Sequence, residues 1–294
     1  MKERKIGIVI VAYHNASMTE RFINNELSKL STPFHVIVVN NAATREDSLK
    51  LAQKCNLAFI DDDTKDNIPN GERFLIWSPD NLGYAKGNNK GITFLNRIGG
   101  FTHFLFSNDD ITIKDNNIID ELANKIDENS KVGAAGPRII NLEGIDQNPK
   151  DQYISLYREI GWIILAPFRK TKKQRETIAN NKALKSRITY WTSGAFMLVN
   201  AKAFNQIGGF DPYTFLYYEE CILAEKLLKI NLHFYYDATV SVIHFEGGST
   251  TKNRKNQLIG INSKIYYYRK YKHTNRFIII IYRILEYINY KLNA

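Results

Sequence analysis

Cysteine is nearly absent from this 294-residue chain, which has only Cys55 and Cys221. They lie far apart and match neither a metal-ligand spacing nor a disulfide framework, so a reducing compartment is the simpler reading. No run of eighteen apolar residues occurs. Even Phe277 to Tyr282, the most apolar stretch near the tail, is closely flanked by Arg276 and Arg283, which excludes a spanning helix. No internal repeat is visible, and the glycine spacing of the dinucleotide fingerprint is missing. The N-terminus has a basic and then an apolar segment, but Tyr13, His14 and Asn15 end the run without a small-residue cleavage pattern, so Ile6 to Ala12 reads as a first buried strand and not as a signal peptide. Acid is scarce locally: Phe168 to Arg187 holds eight Lys or Arg against Glu176 alone.

What is present is ordinary globular composition, 44% hydrophobic and 24% charged, in a chain long enough for a large core. The net charge of +10 calls for nucleic acid, an anionic membrane face or anionic small substrates such as nucleotides. Ile6 to Ala12 and Phe34 to Val39 are continuous apolar, β-branched runs suited to strands buried on both faces of a mainly parallel sheet. The helix-like segment Met18 to Leu30 between them completes a βαβ unit. Further helices are expected over Arg45–Cys55, Ile118–Asn129, Ala201–Ile207 and Glu219–Lys229. Strands are expected over Leu57–Ile60, Arg73–Trp77, Phe101–Phe106, Gly133–Ile140, Leu232–Tyr236 and Ala238–Ile243. The span Asn141 to Arg187 reads as irregular.

Several short stretches carry chemistry. Residues 103 to 111 are an apolar run ending in Asp109 and Asp110, two like charges that need a cation or solvent nearby. A solvated turn capped by Asn108 and Asp109 is the alternative. The glycine-rich stretch Asn81 to Ile92 would let backbone amides meet a diphosphate at a helix N-terminus, or is simply a turn. Asn40 and Asn41 end a strand where a ligand crevice is expected, although Asn-Asn is also common turn chemistry. Glu219 and Glu220 begin a helix, where a carboxylate could accept a proton or merely favour the helix's positive end. His244 follows a strand and is a candidate metal ligand or a hydrogen-bonded structural residue.

Together these pieces resemble an inverting family 2 glycosyltransferase of the GT-A fold, in particular its rhamnosyltransferase-like branch, over roughly residues 6 to 250. The carriers are Ala12-Tyr13-His14-Asn15, Val38-Val39-Asn40-Asn41, the Asn81-Leu82-Gly83-Tyr84-Ala85-Lys86-Gly87-Asn88-Asn89 motif, Ser107-Asn108-Asp109, Gly208-Gly209-Phe210-Asp211, Glu219-Glu220, and His244 with Gly247 and Ser249. The resemblance implies an α/β fold with a Rossmann-like mixed sheet flanked by helices and a C-terminal helical extension. It implies a nucleotide diphosphate sugar as donor and Mn or Mg as metal, with Asp109 as first ligand, Asp110 in reserve and His244 as a further candidate. Donor-site residues would be Ala12, Tyr13, Asn15, Asn40, Asn41, Asn81, Gly83, Tyr84, Gly87, Asn88 and Asn108. Glu220 would be the base for a single displacement, with Glu219 as its alternative. Three departures stand out: Asn40 and Glu220 replace the family's aspartates, and Ser107 replaces its Asn or Asp.

The implied organisation is a glycosyltransferase domain over 1–250, with a nucleotide-binding half to 111 and an acceptor-binding half from 112, then a basic aromatic helical tail over 251–294. A glycan or lipid-linked glycan is the expected acceptor, with rhamnose the leading single donor sugar. Trp162 to Phe168, the basic run after it and Ile265 to Tyr290 could lie on an anionic bilayer. A helical appendage packed on the domain or at a homodimer interface is the alternative. The expected placement is cytoplasmic, peripheral on the inner face of the cell membrane. An inactive nucleotide-sugar binding module and a nucleic-acid-binding protein are the competing classes; Tyr266, Tyr267 and Tyr268 beside Arg269 and Lys270 suggest the latter, but no nucleic-acid motif supports it and no nucleic-acid partner is expected.

Overall fold

The computed structural model describes residues 3–61, 68–153, 155–165, 185–245 and 254–292. A single sheet of ten strands organises them, in the order β3-β4-β2-β1-β5-β9-β7-β10-β6, with β8 pairing on β10. The strands are β1 (Ile6–Tyr13), β2 (Phe34–Asn41), β3 (Ala58–Ile60), β4 (Arg73–Ser78), β5 (His103–Ser107), β6 (Ile111–Ile113), β7 (Val132–Asn141), β8 (Arg187–Thr189), β9 (Phe196–Asn200) and β10 (His233–His244). From β3 to β5 every pairing is parallel, and β9 then enters antiparallel between β5 and β7.

The continuous apolar runs are explained by burial on both faces. Successive side chains of a strand point to opposite sides. Ile6, Ile8 and Ile10 of β1 therefore join Val36, Val38 and Leu105 in one core, while Val9 joins Ile37, Val39, Phe104 and Phe106 in the other. The first core is roofed by Phe22, Ile23 and Leu27 after α1 (Ala16–Arg21), by Leu51 and Ala52 of α2 (Arg45–Lys54), and by Ile118, Ile119 and Leu122 of α4 (Ile118–Asp127). The second is roofed by Ile92 and Leu95 of α3 (Gly83–Ile98), Phe204 of α6 (Ala201–Gln206), and Leu223 and Leu227 of α7 (Glu219–Leu228). A third, smaller core joins α5 (Leu156–Ile164) to α7 and the tail helices α8 (Arg254–Lys270) and α9 (Arg276–Leu292) through Leu156, Ile222, Tyr267, Tyr268, Ile279 and Tyr282.

Register sets the level of the site. Tyr13 lies beside Asn41, Asn41 beside Ser78, and Ser107 beside Ile10. The carboxyl ends of β1, β2, β4 and β5 therefore open on one edge, and the chain leaves β1 toward β2 on one side and β5 on the other. Such a switch point is where open α/β sheets hold ligands.

Four expectations are revised. The helix expected over Met18–Leu30 is α1 followed by a π segment, Phe22–Glu26, and a 3₁₀ turn, Leu27–Lys29. The buried Glu26 accepts the Ile113 amide at 2.9 Å and pairs with Arg21 and Lys29, so this segment is tied to β6. The span read as irregular contains α5, capped by Ser155. The two strands expected between Leu232 and Ile243 are one, β10, with a register shift between Asp237 and Ser241. The short strand β6 was not anticipated; it places His244 opposite Ile111, next to Asp110. Among the described residues no helix is long and apolar enough to cross a membrane. Gly247, Ser249 and the basic run 166–184 lie outside the described residues.

Candidate active site

The acidic end of β5 meets the end of β10 at the carboxyl edge of the sheet. The Phe245 amide donates to the Asp110 carbonyl at 3.0 Å, which draws the two chain segments together. His244 Nε2 then lies 3.2 Å from Asp110 Oδ1 and 3.4 Å from Asn108 Nδ2. Its other nitrogen, Nδ1, contacts Gln147 Oε1 at 2.8 Å. The Gln147 oxygen can only accept, so the proton belongs on Nδ1 and a lone pair on Nε2. Asp110 Oδ1 is buried and has no hydrogen-bond partner, and it is the carboxylate oxygen that faces Nε2. Neutral imidazole with its second nitrogen fixed by an amide oxygen is how metal-ligating histidines are held.

Asp109 differs. Its Oδ2 accepts from the buried Thr19 hydroxyl at 2.6 Å. Burial pushes its carboxyl up to about 6, with Thr19 pulling it back and Asp110 adding to the rise. A cation at the edge of this pair would reverse that cost. Among the described residues no three His, Cys, Asp or Glu side chains are already gathered as a metal cage. The donor set nevertheless fits a divalent ion that takes one or two carboxylates from the protein and further oxygens from a phosphate substrate. The imidazole suits Mn better than Mg, which demands oxygen ligands.

The second acidic pair sits across the edge. Glu220 Oε1 accepts the Gly194 amide at 2.9 Å, and the neighbouring Ala195 carbonyl accepts the Asn108 amide at 2.9 Å. Residues 194 and 195 thus connect the metal-side strand end to the second carboxylate. Tyr84 OH donates to the Gly194 carbonyl at 2.9 Å, and a Cβ added at Gly194 would lie 2.5 Å from that hydroxyl. Glu219 is buried, 3% exposed, with an unpartnered Oε1, while Glu220 retains partial exposure. Burial, and then the neighbouring Glu220, push the Glu219 carboxyl up to about 8. Burial also raises Glu220, against which the Gly194 amide works. Two carboxylates this close hold one proton near neutrality, and the deeper Glu219 is its natural owner.

The turn before this pair is strained. Tyr217 and Tyr218 both have φ of 72°, a left-handed conformation that costs on the order of 1–3 kcal/mol for each such residue. The tail compensates. Gly260 of α8 passes close to the Tyr217 ring, the Tyr218 ring packs on Tyr267 at 5.5 Å, and Ser263 donates to the Leu216 carbonyl at 2.9 Å. Just upstream, Asp211 Oδ2 accepts from Tyr271 at 2.6 Å, Tyr266 at 2.8 Å and Lys270 at 3.0 Å. Burial pushes that carboxyl up, but these donors with the Tyr213 amide outweigh it and leave it at about 2.

No family model matches the chain. N-acetylglucosaminyl-diphospho-decaprenol L-rhamnosyltransferase of Mycobacterium tuberculosis is 24% identical over 276 residues, spanning 92% of this chain and 85% of that protein. The low-salt glycan biosynthesis hexosyltransferase Agl10 of Haloferax volcanii is 27% identical over 245 residues, spanning 81% of this chain and 66% of that protein. Among solved structures, a mannosyltransferase from Pyrobaculum calidifontis in complex with GDP-Man and Mn²⁺ superposes with a TM-score of 0.57 at 12% identity, covering 97% of this chain and 70% of that one. GalNAc-T7 with UDP, GalNAc and Mn²⁺ superposes at 0.59 and 13% identity, covering 92% of this chain and 49% of that one. The chain is a glycosyltransferase of the GT-A fold.

Within this glycosyltransferase the residues anticipated for the donor site divide by what they touch. Asn15 caps α1, its side chain accepting the Met18 amide at 3.3 Å. Asn40 donates to the buried Ser48 hydroxyl at 3.0 Å, and Asn41 is buried with an unpartnered Oδ1. Ala12 and Tyr13 end β1 beside them. The glycine-rich motif is occupied internally: Asn81 accepts the Gly83 amide at 3.0 Å, and the Tyr84 amide is spent on the Phe215 carbonyl at 2.9 Å. Gly87 packs on Val11 and Asn41, and Asn88 donates back to the Tyr84 carbonyl at 3.0 Å. Asn89 brackets Phe210, donating to its carbonyl and accepting its amide at 2.8 and 3.0 Å. Thr19, Gln147, Gly194 and Ala195 were not anticipated, since each acts through a tertiary contact with no local motif.

Gly83 shows why the motif needs glycine. Its φ is +71°, and a Cβ would lie 2.2 Å from the Phe215 carbonyl oxygen. Gly83→Ala is expected to destabilise the protein on the order of 2 kcal/mol or more in denaturant unfolding. Gly208→Ala, with the same φ of +71° but nothing within 4 Å of the added Cβ, should cost about 1 kcal/mol. Equal losses for the two would mean that the Phe215 contact is not the constraint.

Proposed function

We propose that the protein transfers a hexosyl residue, rhamnose being the first to test, from a nucleotide diphosphate donor to a hydroxyl of a glycan or lipid-linked glycan, with inversion at the anomeric carbon. The observation that carries this reading is the pairing of two acidic centres across Gly194 and Ala195, one facing His244 and the other at Glu220. A relative's name as a rhamnosyltransferase acting on a diphospho-decaprenol acceptor supports the sugar and acceptor class.

Asp110 and His244 would hold a divalent metal, Mn or Mg, with Asp109 beside them, and the metal when bound would neutralise the departing diphosphate. Asn41, with its buried unpartnered oxygen near the end of β2, would face the donor's nucleoside. Glu220 would take the proton from the acceptor hydroxyl as that oxygen attacks the anomeric carbon and the nucleoside diphosphate leaves. The Gly194 amide fixes the carboxylate in place for that transfer, and Glu219 keeps the shared proton. A single displacement inverts the configuration, so no covalent sugar intermediate forms on the protein.

The test is turnover of a panel of nucleotide sugars with Mn or Mg and a polyprenyl-diphosphate-sugar acceptor, with the product anomer read by NMR. The expected result is consumption of one donor, abolished by chelator, giving the opposite anomeric configuration. Retention of configuration would overturn the mechanism. Donor binding without turnover of any acceptor would favour a binding module.

A further inference from the structure

Helix α9 is apolar nearly all round, and only one of its faces is covered by the protein. Ile279 and Tyr282 face inward and are 8% and 0% exposed. On the opposite side Phe277, Ile280, Ile281, Ile284 and Ile288 are 76%, 45%, 45%, 54% and 47% exposed. Their spacing of three, four and seven residues places them on one stripe. The helix α5, which packs on α9, adds Tyr157, Ile164 and Leu165 to the exposed apolar surface. Contiguous exposure of this kind marks a surface that something else covers.

Charge says what covers it. Residues 254 to 292 contain nine Lys or Arg and one acid, Glu286. Lys264, Lys270 and Lys272 are engaged inward on Glu159, Asp211 and Glu225, and Glu286 accepts from Tyr282. Of the other six, Arg254, Lys255, Arg269, Arg276 and Arg283 are exposed cations, and the Lys291 side chain lies outside the described ones. Arg276 and Arg283 are seven residues apart and border the stripe on one side, where they would sit at phosphate depth if the stripe entered an apolar layer. A second copy meeting this stripe about a two-fold axis would bring like-charged rims together with no acid to receive them.

We propose that the outer face of α9, with the exposed end of α5, docks on an anionic lipid bilayer. Helix α8, which shares the third core with the inner face of α9, grips the turn leading to Glu219 and Glu220 through Gly260 on Tyr217 and Tyr267 on Tyr218, and Tyr271 just after it binds Asp211. Docking therefore sets the acidic edge of the sheet at a fixed relation to the lipid surface, where a lipid-linked acceptor is presented. The docking surface itself does not depend on the proposed donor or mechanism.

The experiment is cosedimentation of the full chain with vesicles of phosphatidylcholine alone or mixed with phosphatidylglycerol, at low and high salt. Wild type should bind the anionic vesicles, more weakly as salt rises. Arg276→Glu with Arg283→Glu should lose about tenfold or more in partitioning. Ile281→Asp with Ile284→Asp should lose on the order of 30-fold or more, with melting temperature and donor binding unchanged. Equal binding to both vesicle types, or no binding by wild type, would overturn the proposal. So would a wild-type dimer in light scattering that the isoleucine variant converts to monomer without any change in vesicle binding. If the isoleucine variant fails to fold, the arginine pair, wholly on the surface, still decides the matter.

Discussion

Glu220→Gln is expected to lower the rate of transfer by about 10²- to 10⁴-fold while leaving donor binding intact, because an amide keeps the Gly194 hydrogen bond and cannot take a proton. Glu219→Gln should behave differently. Its carboxyl is pushed up to about 8 by burial and by Glu220, so near neutrality the wild-type group already resembles the neutral amide. Transfer at pH 7 by Glu219→Gln should then stay within about tenfold of wild type. The pair also has a stability signature. A carboxyl with a raised folded pKa stabilises most below its unfolded value of about 4.5 and loses that contribution as pH rises through about 8. The melting temperature of Glu219→Gln relative to wild type should therefore climb between those limits. If Glu219→Gln loses transfer as completely as Glu220→Gln, and the melting difference is flat with pH, the roles assigned to the two carboxylates are wrong.

Much of this was legible because the sheet is buried on both sides. Runs such as Ile6–Tyr13 and Phe34–Asn41 announce parallel strands by their lack of alternation, and a carboxylate or asparagine at the end of each marks the crevice edge. Local signals could not predict residues that act through tertiary contacts. Thr19 reaches Asp109 across 90 residues, and the Gly194 amide meets Glu220 across 26. The motif from Asn81 was legible as special, with a diphosphate contact and a glycine-rich turn both open for it. Its first two helix amides are taken up by Asn81 and Phe215, so its glycines serve close packing at least as directly as any anion contact. The tail's Tyr266 to Tyr268, which could pass for a nucleic-acid stacking platform, is turned inward: Tyr267 and Tyr268 are each 2% exposed, and Tyr266 binds Asp211. Sequence spacing could not reveal that the tail serves the turn before Glu219, because the strain at Tyr217 and Tyr218 exists only in the folded chain.

The metal side yields the second large effect. From sequence Asp109 stands first as ligand and Asp110 second, yet Asp109 is committed to Thr19 while Asp110 presents an unpartnered oxygen to His244 Nε2. Asp110→Asn is therefore expected to weaken Mn binding in the presence of nucleoside diphosphate by about 100-fold or more, read by calorimetry. Gln147→Ala, which frees the imidazole from its 2.8 Å contact without removing a ligand, should weaken it by about 10- to 100-fold. Thr19→Val separates the two aspartates. Without that hydroxyl Asp109 loses the contact that pulls its carboxyl down, so its proton should be held more tightly in the free protein. Metal binding by that variant should become more pH-dependent while keeping the same ligands. Loss of metal binding in Asp109→Asn with retention in Asp110→Asn would reverse the assignment, and would require Thr19 to release Asp109 when the donor enters.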